Sequence, residues 1–269
     1  MRVRELEAAL FRAFPPEHAE PWDHVGLSVG DPDENVTRVL VALDATAREV
    51  REAHARGANV LLTHHPVYIK APEAFVPRAG ERPQGAEAVF AAARDGVSIL
   101  SFHTDLDRSR EAQRLLPSLM GLEALHSLEH PLDRESCGLG SVADLPEPCT
   151  LCDLAREAAT AFSTAPRVWG DPGALVRRAA FLGGSLGDLG EAARSAGAQA
   201  VICGEAGYHV CQDLAARRLG VILLGHDASE YPFTRILARA AERAGIAPDD
   251  IVISEPPRQW WTVSKGDCS

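Results

Sequence analysis

Short apolar runs rich in branched side chains recur along this chain, each followed by a turn and an amphipathic segment. That alternation restricts the fold more than any other feature. Residues 36–43 read VTRVLVAL, which predicts a strand buried on both faces. Thr46-Ala-Arg-Glu49 has the spacing of a capping box and opens a helix through Arg56, where Gly57 stops it. Asn59-Val-Leu-Leu-Thr63 is the next strand, with His64-His65-Pro66 at its C-terminal end. A helix over residues 85–94 leads through Gly96 into a strand at 97–102, and His103-Thr-Asp-Leu-Asp107 follows. Strands alternating with helices through short glycine turns imply a largely parallel sheet covered by helices.

The remaining chain extends the pattern. Residues 1–14 form an amphipathic helix with Leu6, Leu10 and Phe11 on one face, ended by Pro15 and Pro16. Residues 108–135 are less regular. A second unit begins near Cys137, with a strand over 138–145, a turn at Pro146 and Pro148, and a helix from the capping box Thr150-Leu-Cys-Asp153 to Phe162. Strands at 178–182, 200–203 and 221–224 alternate with helices at 189–196 and 209–218. The last of these strands delivers Gly225-His226, and Glu230 falls at or near the start of a helix reaching about Ala244. Residues 251–254 and 261–263 read as late edge strands. The expected class is therefore α/β: two intertwined α/β units with largely parallel or mixed sheets flanked by helices. Residues 1–130 and 131–269 are the two units, together one compact metal-binding domain.

Composition narrows the function. The formal net charge is -11 over 269 residues and no long Lys/Arg run occurs, which weighs against sequence-independent nucleic-acid binding. No stretch of about 18 apolar residues exists, so no membrane span is expected, and the N-terminal segment is an amphipathic helix rather than a signal peptide. Six scattered cysteines in a chain of this size fit a reduced, cytoplasmic protein better than a disulfide framework.

The chemistry collects at strand ends. Four of the ten histidines, His64, His65, His103 and His226, fall there, and ligands in open α/β sheets gather beyond the carboxyl ends of the strands. Asp105 and Asp107 alternate in direction, so one of the two need face the cluster; spacing alone leaves both open. His226 and Glu230 are four residues apart, one helical turn. Imidazole and carboxylate ligands together suit zinc, manganese, iron or nickel, and five convergent ligands with carboxylates able to bridge favour two ions over one. Weaker signals are Cys149-Thr-Leu-Cys152, which lacks the second pair of a zinc ribbon and reads as packing, and the Gly183–Gly187 loop, a tight turn before it is a phosphate cradle. Trp260 and Trp261 read as core or a subunit contact. No Gly-x-Ser-x-Gly elbow is present, which disfavours a serine hydrolase.

At these residues the sequence resembles the family of GTP cyclohydrolase I type 2 homologues, also called NGG-interacting-factor-three-like proteins. The likeness rests on Trp22-Asp-His-Val-Gly-Leu27, Val39-Leu-Val-Ala-Leu-Asp44, Leu62-Thr-His-His-Pro66, His103-Thr-Asp-Leu-Asp107 and Gly225-His226 through Glu230, in fixed order over nearly the whole chain. The resemblance implies two divalent ions held by His64, His65, Asp107, His226 and Glu230, and it selects Asp107 over Asp105. It implies a homohexameric ring with the metal sites facing an internal cavity, and a short form without a mid-chain insert. His103 matches a position close to the cluster. His24 stands where the family usually has Asn, and both histidines are candidate proton carriers. The Gly-Val-Asn stretch usual after the Asp107 motif is replaced by DRSREAQRLL, and the Gly183–Gly187 loop is less glycine-rich than in relatives.

Two functions are compatible with these residues. One is a metal-dependent hydrolase acting on a nucleotide or related small molecule, with a purine nucleotide such as GTP implied by the resemblance. The other is a non-catalytic metal carrier or regulatory ring scaffold that binds a protein partner.

Overall fold

The computed structural model describes residues 1–78, 84–133, 135–255 and 260–262. The chain begins with α1 (Val3–Ala13), β1 (Gly26–Val29), β2 (Val39–Ala42), α2 (Ala47–Ala55), β3 (Val60–Thr63), α3 (Gln84–Asp95) and β4 (Ser98–Ser101). Two short helices follow, α4 (Thr104–Asp107) and α5 (Arg110–Ser118). Next come β5 (Ala124–His126), β6 (Ser141–Thr150), α6 (Leu151–Ala161), β7 (Arg167–Trp169), β8 (Leu175–Phe181), α7 (Gly190–Ser195), β9 (Ala200–Cys203), α8 (Tyr208–Ala216) and β10 (Gly220–Leu223). The chain closes with α9 (His226–Glu230), α10 (Phe233–Ala244) and β11 (Ile251–Ile253).

These strands make two mixed sheets. The first has the order β1-β4-β3-β2-β11 and the second β5-β6-β8-β9-β10-β7. β2, β3, β4 and β11 are parallel, with Val39 opposite Val60, Val60 opposite Ser98 and Ile251 opposite Val39; β1 runs antiparallel to β4. In the second sheet β8, β9 and β10 are parallel, while β5, β6 and β7 are antiparallel to their neighbours. The fold class expected from the sequence is thus the one observed. β11 returns from the far end of the chain to extend the first sheet.

Strand alternation explains why the central strands read as continuous apolar runs. Successive side chains point to opposite faces. Val39 and Val41 of β2 enter one core with Val60, Leu62, Leu100 and Phe102, and this core also takes Phe181, Ile202 and Ile222 from the second sheet and the apolar faces of α1, α6 and α10. Leu40, Ala42, Leu61 and Ile99 face the other way, under α2 and α3. Val142, Ala180, Val201 and Val221 pack similarly against α7 and α8. The two sheets therefore share a central core and each has an outer helical cover.

Several expectations are corrected. Residues 108–135 hold α5 and β5, with Ser109 capping α5 by accepting from the Ala112 amide (3.1 Å). The strand expected at 138–145 is β6, which continues through Pro146 and Pro148 with an irregular register between Asp144 and Cys149. Strands β1 and β7 went unread. The edge strand expected at 251–254 is β11, whereas Trp261 lies outside any strand and Val263 lies outside the described residues. Thr46 and Thr150 do cap their helices, accepting from the Glu49 and Asp153 amides. Glu49 itself is buried and accepts from the Ser254 hydroxyl at 2.7 Å, tying α2 to the end of β11.

Candidate metal centre

The parallel strands β3 and β4 end side by side, and β10 of the second sheet ends opposite them. His64 and His65 continue the β3 ladder by one step, their amides donating to the carbonyls of Ala42 (3.3 Å) and Leu43 (2.9 Å). The chain turns there, with the Thr63 hydroxyl donating to the His65 carbonyl (2.8 Å), and the two rings lie 5.1 Å apart. His103 follows β4 and precedes α4, which carries Asp107. His226 opens α9 and Glu230 ends it. Glu230 therefore sits in the last turn of a five-residue helix, with only Tyr231 and Pro232 between it and α10, near the start of the helix that the sequence predicts to reach Ala244.

Every histidine of the group has its Nδ1 engaged. His64 Nδ1 donates to the Phe102 carbonyl at 3.0 Å, His65 Nδ1 meets Asp44 Oδ1 at 2.8 Å, His103 Nδ1 meets Asp23 Oδ1 at 3.0 Å, and His226 Nδ1 meets Glu205 Oε1 at 3.2 Å. The Nε2 atoms are thereby left for the cluster. A carbonyl or carboxylate on the far nitrogen of a metal-ligating imidazole is a common arrangement, because it fixes the tautomer and the ring plane.

Glu230 joins the histidines. Its Oε2 lies 2.8 Å from His65 Nε2 and 3.0 Å from His226 Nε2, while its Oε1 lies 3.9 Å from His64 Nε2. Asp107 Oδ1 is 3.5 Å from His64 Nε2. Three groups of ligand atoms each lie within 4.8 Å of one another: His64, His65 and His103; His65, His226 and Glu230; His64, Asp107 and Glu230.

The electrostatics fit a cation held among these groups. His64 Nε2 and Asp107 Oδ1 are buried and neither has a hydrogen-bond partner. Two lone pairs facing each other without a proton are costly unless a cation lies between them. Burial and the neighbouring Glu230 charge push Asp107 up to about 7. Burial would also raise Glu230, but hydrogen bonds from His226 and His65, with His64 close by, hold it well below the usual carboxylate range. Burial opposes charge on His65, yet hydrogen bonds to Asp44 and Glu230 raise it to about 10; the bond to Glu230 raises His226 to about 9. Asp23 is held well below its ordinary value, burial being outweighed by hydrogen bonds from His103 and Thr104. The donor set is that of a divalent-metal site.

The glycine loop serves this geometry. A Cβ on Gly184 would stand 2.2 Å from Glu230 Oε1, and the residue has φ +61°. The Gly184 amide donates to Ser229 Oγ (2.9 Å) and the Leu186 amide to the Glu205 carbonyl (2.8 Å), so these two amides hold the loop against α9 and the segment after β9 instead of offering a phosphate cradle. A cavity of about 350 Å³ opens from the cluster, walled by Trp22, His103, Asp107, Gly183, His226 and Glu230 among others.

The structure thus brings His64, His65, His103, Asp107, His226 and Glu230 together. It leaves His24 apart: its ring stacks on Tyr68 at 4.9 Å and belongs to none of the three groups. Asp105 is fully buried, accepts from the Leu106 amide (2.9 Å), and is pushed up to about 8 by burial. Cys149 and Cys152 are free thiols outside the cluster. Sequence reasoning missed Asp23, Asp44 and Glu205 as partners of the ligands. Asp23 and Asp44 stand inside two of the quoted motifs, and Glu205 follows the end of β9, a strand-end position like those of the histidines. No helix among the described residues is long and apolar enough to cross a membrane.

Comparison with known proteins agrees. A Streptomyces coelicolor protein called a GTP cyclohydrolase 1 type 2 homolog is 34% identical over 242 residues, covering 87% of this chain and 84% of its own. A Clostridium perfringens protein of the same name is 28% identical over 248 residues, covering 90% and 91%. Among solved structures, a Bacillus cereus protein related to NIF3 superposes with TM-score 0.87 at 19% identity, covering 98% of this chain and 99% of its own. Reduced HcgD from Methanocaldococcus jannaschii gives 0.73 at 21% identity, covering 94% and 96%. Residues 1–254 match the family described as Duf34/NIF3 (NGG1p interacting factor 3), and with a metal-competent cluster built on that fold this chain belongs to it.

Proposed function

We propose that the chain binds two divalent ions, of zinc, manganese, iron or nickel, and acts as a metal-dependent hydrolase on a small molecule, a nucleotide being the candidate that the relatives' name suggests. The carrying observation is the division of Glu230: one carboxylate oxygen serves the His65 and His226 group, the other the His64 and Asp107 group. His64, Asp107 and Glu230 would hold one ion and His65, His226 and Glu230 the second. Bound ions of this kind supply an activated water and polarise the group under attack.

The chain's own residues supply the rest. Asp23 pins His103 through Nδ1, leaving Nε2 toward the 350 Å³ cavity, where it can accept and return a proton. Trp22 sits edge-on to His103, ring centroids 6.0 Å apart, and offers an exposed aromatic wall for a substrate ring. Gly183 and Gly184 let the opposite wall approach Glu230 closely.

The relative openness of His226 and Glu205 favours the second reading, a metal carrier, since an exposed ligand pair eases release. Incubating metal-replete protein with nucleotides, phosphoesters and cyclic amides separates the two. A hydrolase gives metal-dependent turnover that His103→Ala abolishes without loss of metal. Full occupancy with no turnover, and rapid transfer of metal to a competing chelator, supports the carrier instead. The hexameric ring suggested by the family resemblance is part of this proposal, and light scattering reads it.

A further inference from the structure

α9 separates two cavities. His226 and Glu230 line the one at the metal cluster, while Asp227 and Ala228, with Tyr231 just beyond, line another of about 640 Å³. The second cavity is walled largely by apolar and aromatic side chains, among them Leu119, Phe162, Tyr231, Trp260 and Trp261. Trp260 and Trp261 are 52% and 71% exposed, unusual for the largest apolar side chains unless something covers them. The volume lies in the range of small-molecule sites.

Two charged residues line it, Asp227 and Arg235. Asp227 is engaged: its Oδ2 accepts from Trp260 Nε1 at 3.1 Å. The Arg235 guanidinium has no hydrogen bond or ion pair among the described residues. An apolar hollow with one uncommitted guanidinium matches a flat apolar body carrying one negative charge. Asp227 disfavours a polyanion, and a cation would meet Arg235.

The walls grip the segment that carries His226. Thr164 Oγ1 donates to the Leu224 carbonyl at 2.8 Å, and Trp260 holds Asp227. These two contacts bracket His226 in sequence. Next to Thr164 the wall passes through Ser163 at φ 52°, a left-handed conformation that costs a non-glycine residue energy and occurs often at ligand clamps.

We propose that this cavity is a second ligand site, for a flat apolar molecule with a single anionic group, and that its occupancy is transmitted through Asp227 and Leu224 to His226. The ring lies against Trp261 and Tyr231, and the anion meets Arg235. The binding half is independent of the proposed hydrolysis; the coupling half rests on metal binding at His226.

Calorimetry on the full metal-loaded chain tests it, with indole-3-propionate and its uncharged primary amide as probes. Saturable binding of the acid is expected, about tenfold tighter than the amide, the size of one charge-assisted hydrogen bond. Arg235→Gln removes the preference, and Trp261→Ala weakens both probes about tenfold. In saturating acid the rate at which EDTA strips metal changes about fivefold, and Trp261→Ala abolishes that response. Absence of saturable binding at millimolar probe, or a preference that survives Arg235→Gln, overturns the site. So does a fall in oligomer mass in Trp261→Ala without saturable binding by the parent chain, which makes the cavity a contact between copies. Binding with unchanged stripping overturns the coupling, whether or not the protein hydrolyses anything.

Discussion

His64 Nε2 and Asp107 Oδ1 stand 3.5 Å apart, both buried, and neither has a hydrogen-bond partner. His64 has already committed its Nδ1 proton to the Phe102 carbonyl, so a lone pair faces a carboxylate. Such a pair is stable with a cation between the atoms and strained without one. Removing metal with a chelator is therefore expected to lower the thermal midpoint, by an amount that grows with the logarithm of free ion concentration over the dissociation constant, and restoring a divalent ion reverses it. His64→Ala, which deletes one partner, makes the midpoint insensitive to chelator at that position.

Glu230→Gln separates a ligand from a helix residue. Glu230 ends α9 and precedes α10, so a role confined to the helices would cost stability and leave metal content intact, whereas a ligand role costs metal. Elemental analysis is expected to fall from two ions per chain to one or none while circular dichroism stays unchanged. Full occupancy in a folded Glu230→Gln chain removes Glu230 from the site.

Metal uptake has a pH signature. In the metal-free protein His65 is raised to about 10 and His226 to about 9, so both rings are protonated at neutral pH. An ion must displace those protons, so apparent affinity rises with pH from 7 to 9 and binding acidifies a weakly buffered solution. The sign for stability is opposite. A histidine whose folded value lies above its unfolded one stabilises fully below about 6.5, and that contribution is lost as pH climbs through 9 to 10. Metal-free protein should lose midpoint across that window and loaded protein should not. A midpoint independent of pH in both forms contradicts the hydrogen bonds to Glu230.

How much of this was legible in the sequence depends on burial. β2, β3, β4, β9 and β10 lie in sheet interiors, so both faces are apolar and the runs stand out. β1, β5 and β7 are edge strands of three or four residues, and Arg167-Val-Trp169 is half-exposed, with no pattern to separate it from a loop. The ligand histidines were legible because strand ends are a topological rule. Their partners were not: Asp23, Asp44 and Glu205 reach His103, His65 and His226 across 80, 21 and 21 positions, contacts set by strand order alone. The break between α9 and α10 did leave a trace in Pro232, a residue that interrupts helices.

Asp44→Asn and Asp23→Asn are expected to differ. Asp44 orients a residue placed as a ligand, so its amide should weaken metal binding about 10- to 100-fold with the fold retained. Asp23 orients His103, placed as a proton carrier, so Asp23→Asn should keep its metal and lose turnover, with the pH optimum displaced. Equal metal loss in both variants would make His103 a ligand of the same rank as His65.

Gly184→Ala tests whether the glycine loop exists for the site. Two penalties combine at this position. Backbone at φ +61° costs an alanine about 1 kcal/mol or more. The new methyl would also stand 2.2 Å from Glu230 Oε1 and 3.2 Å from His226 Cε1. A carboxylate at the end of an exposed chain would swing aside cheaply, but Glu230 is buried and fastened to His65 and His226. Relief therefore comes by pushing Glu230 off its histidines. The expected outcome is a folded protein with a modestly lowered midpoint and disproportionate metal loss. Gly187→Ala is the control, because it shares the left-handed backbone (φ +50°) but its Cβ would meet nothing within 4 Å. It should show the stability cost alone, with metal content intact. If the two variants lose metal equally, backbone strain explains the loop and the close approach to Glu230 does not.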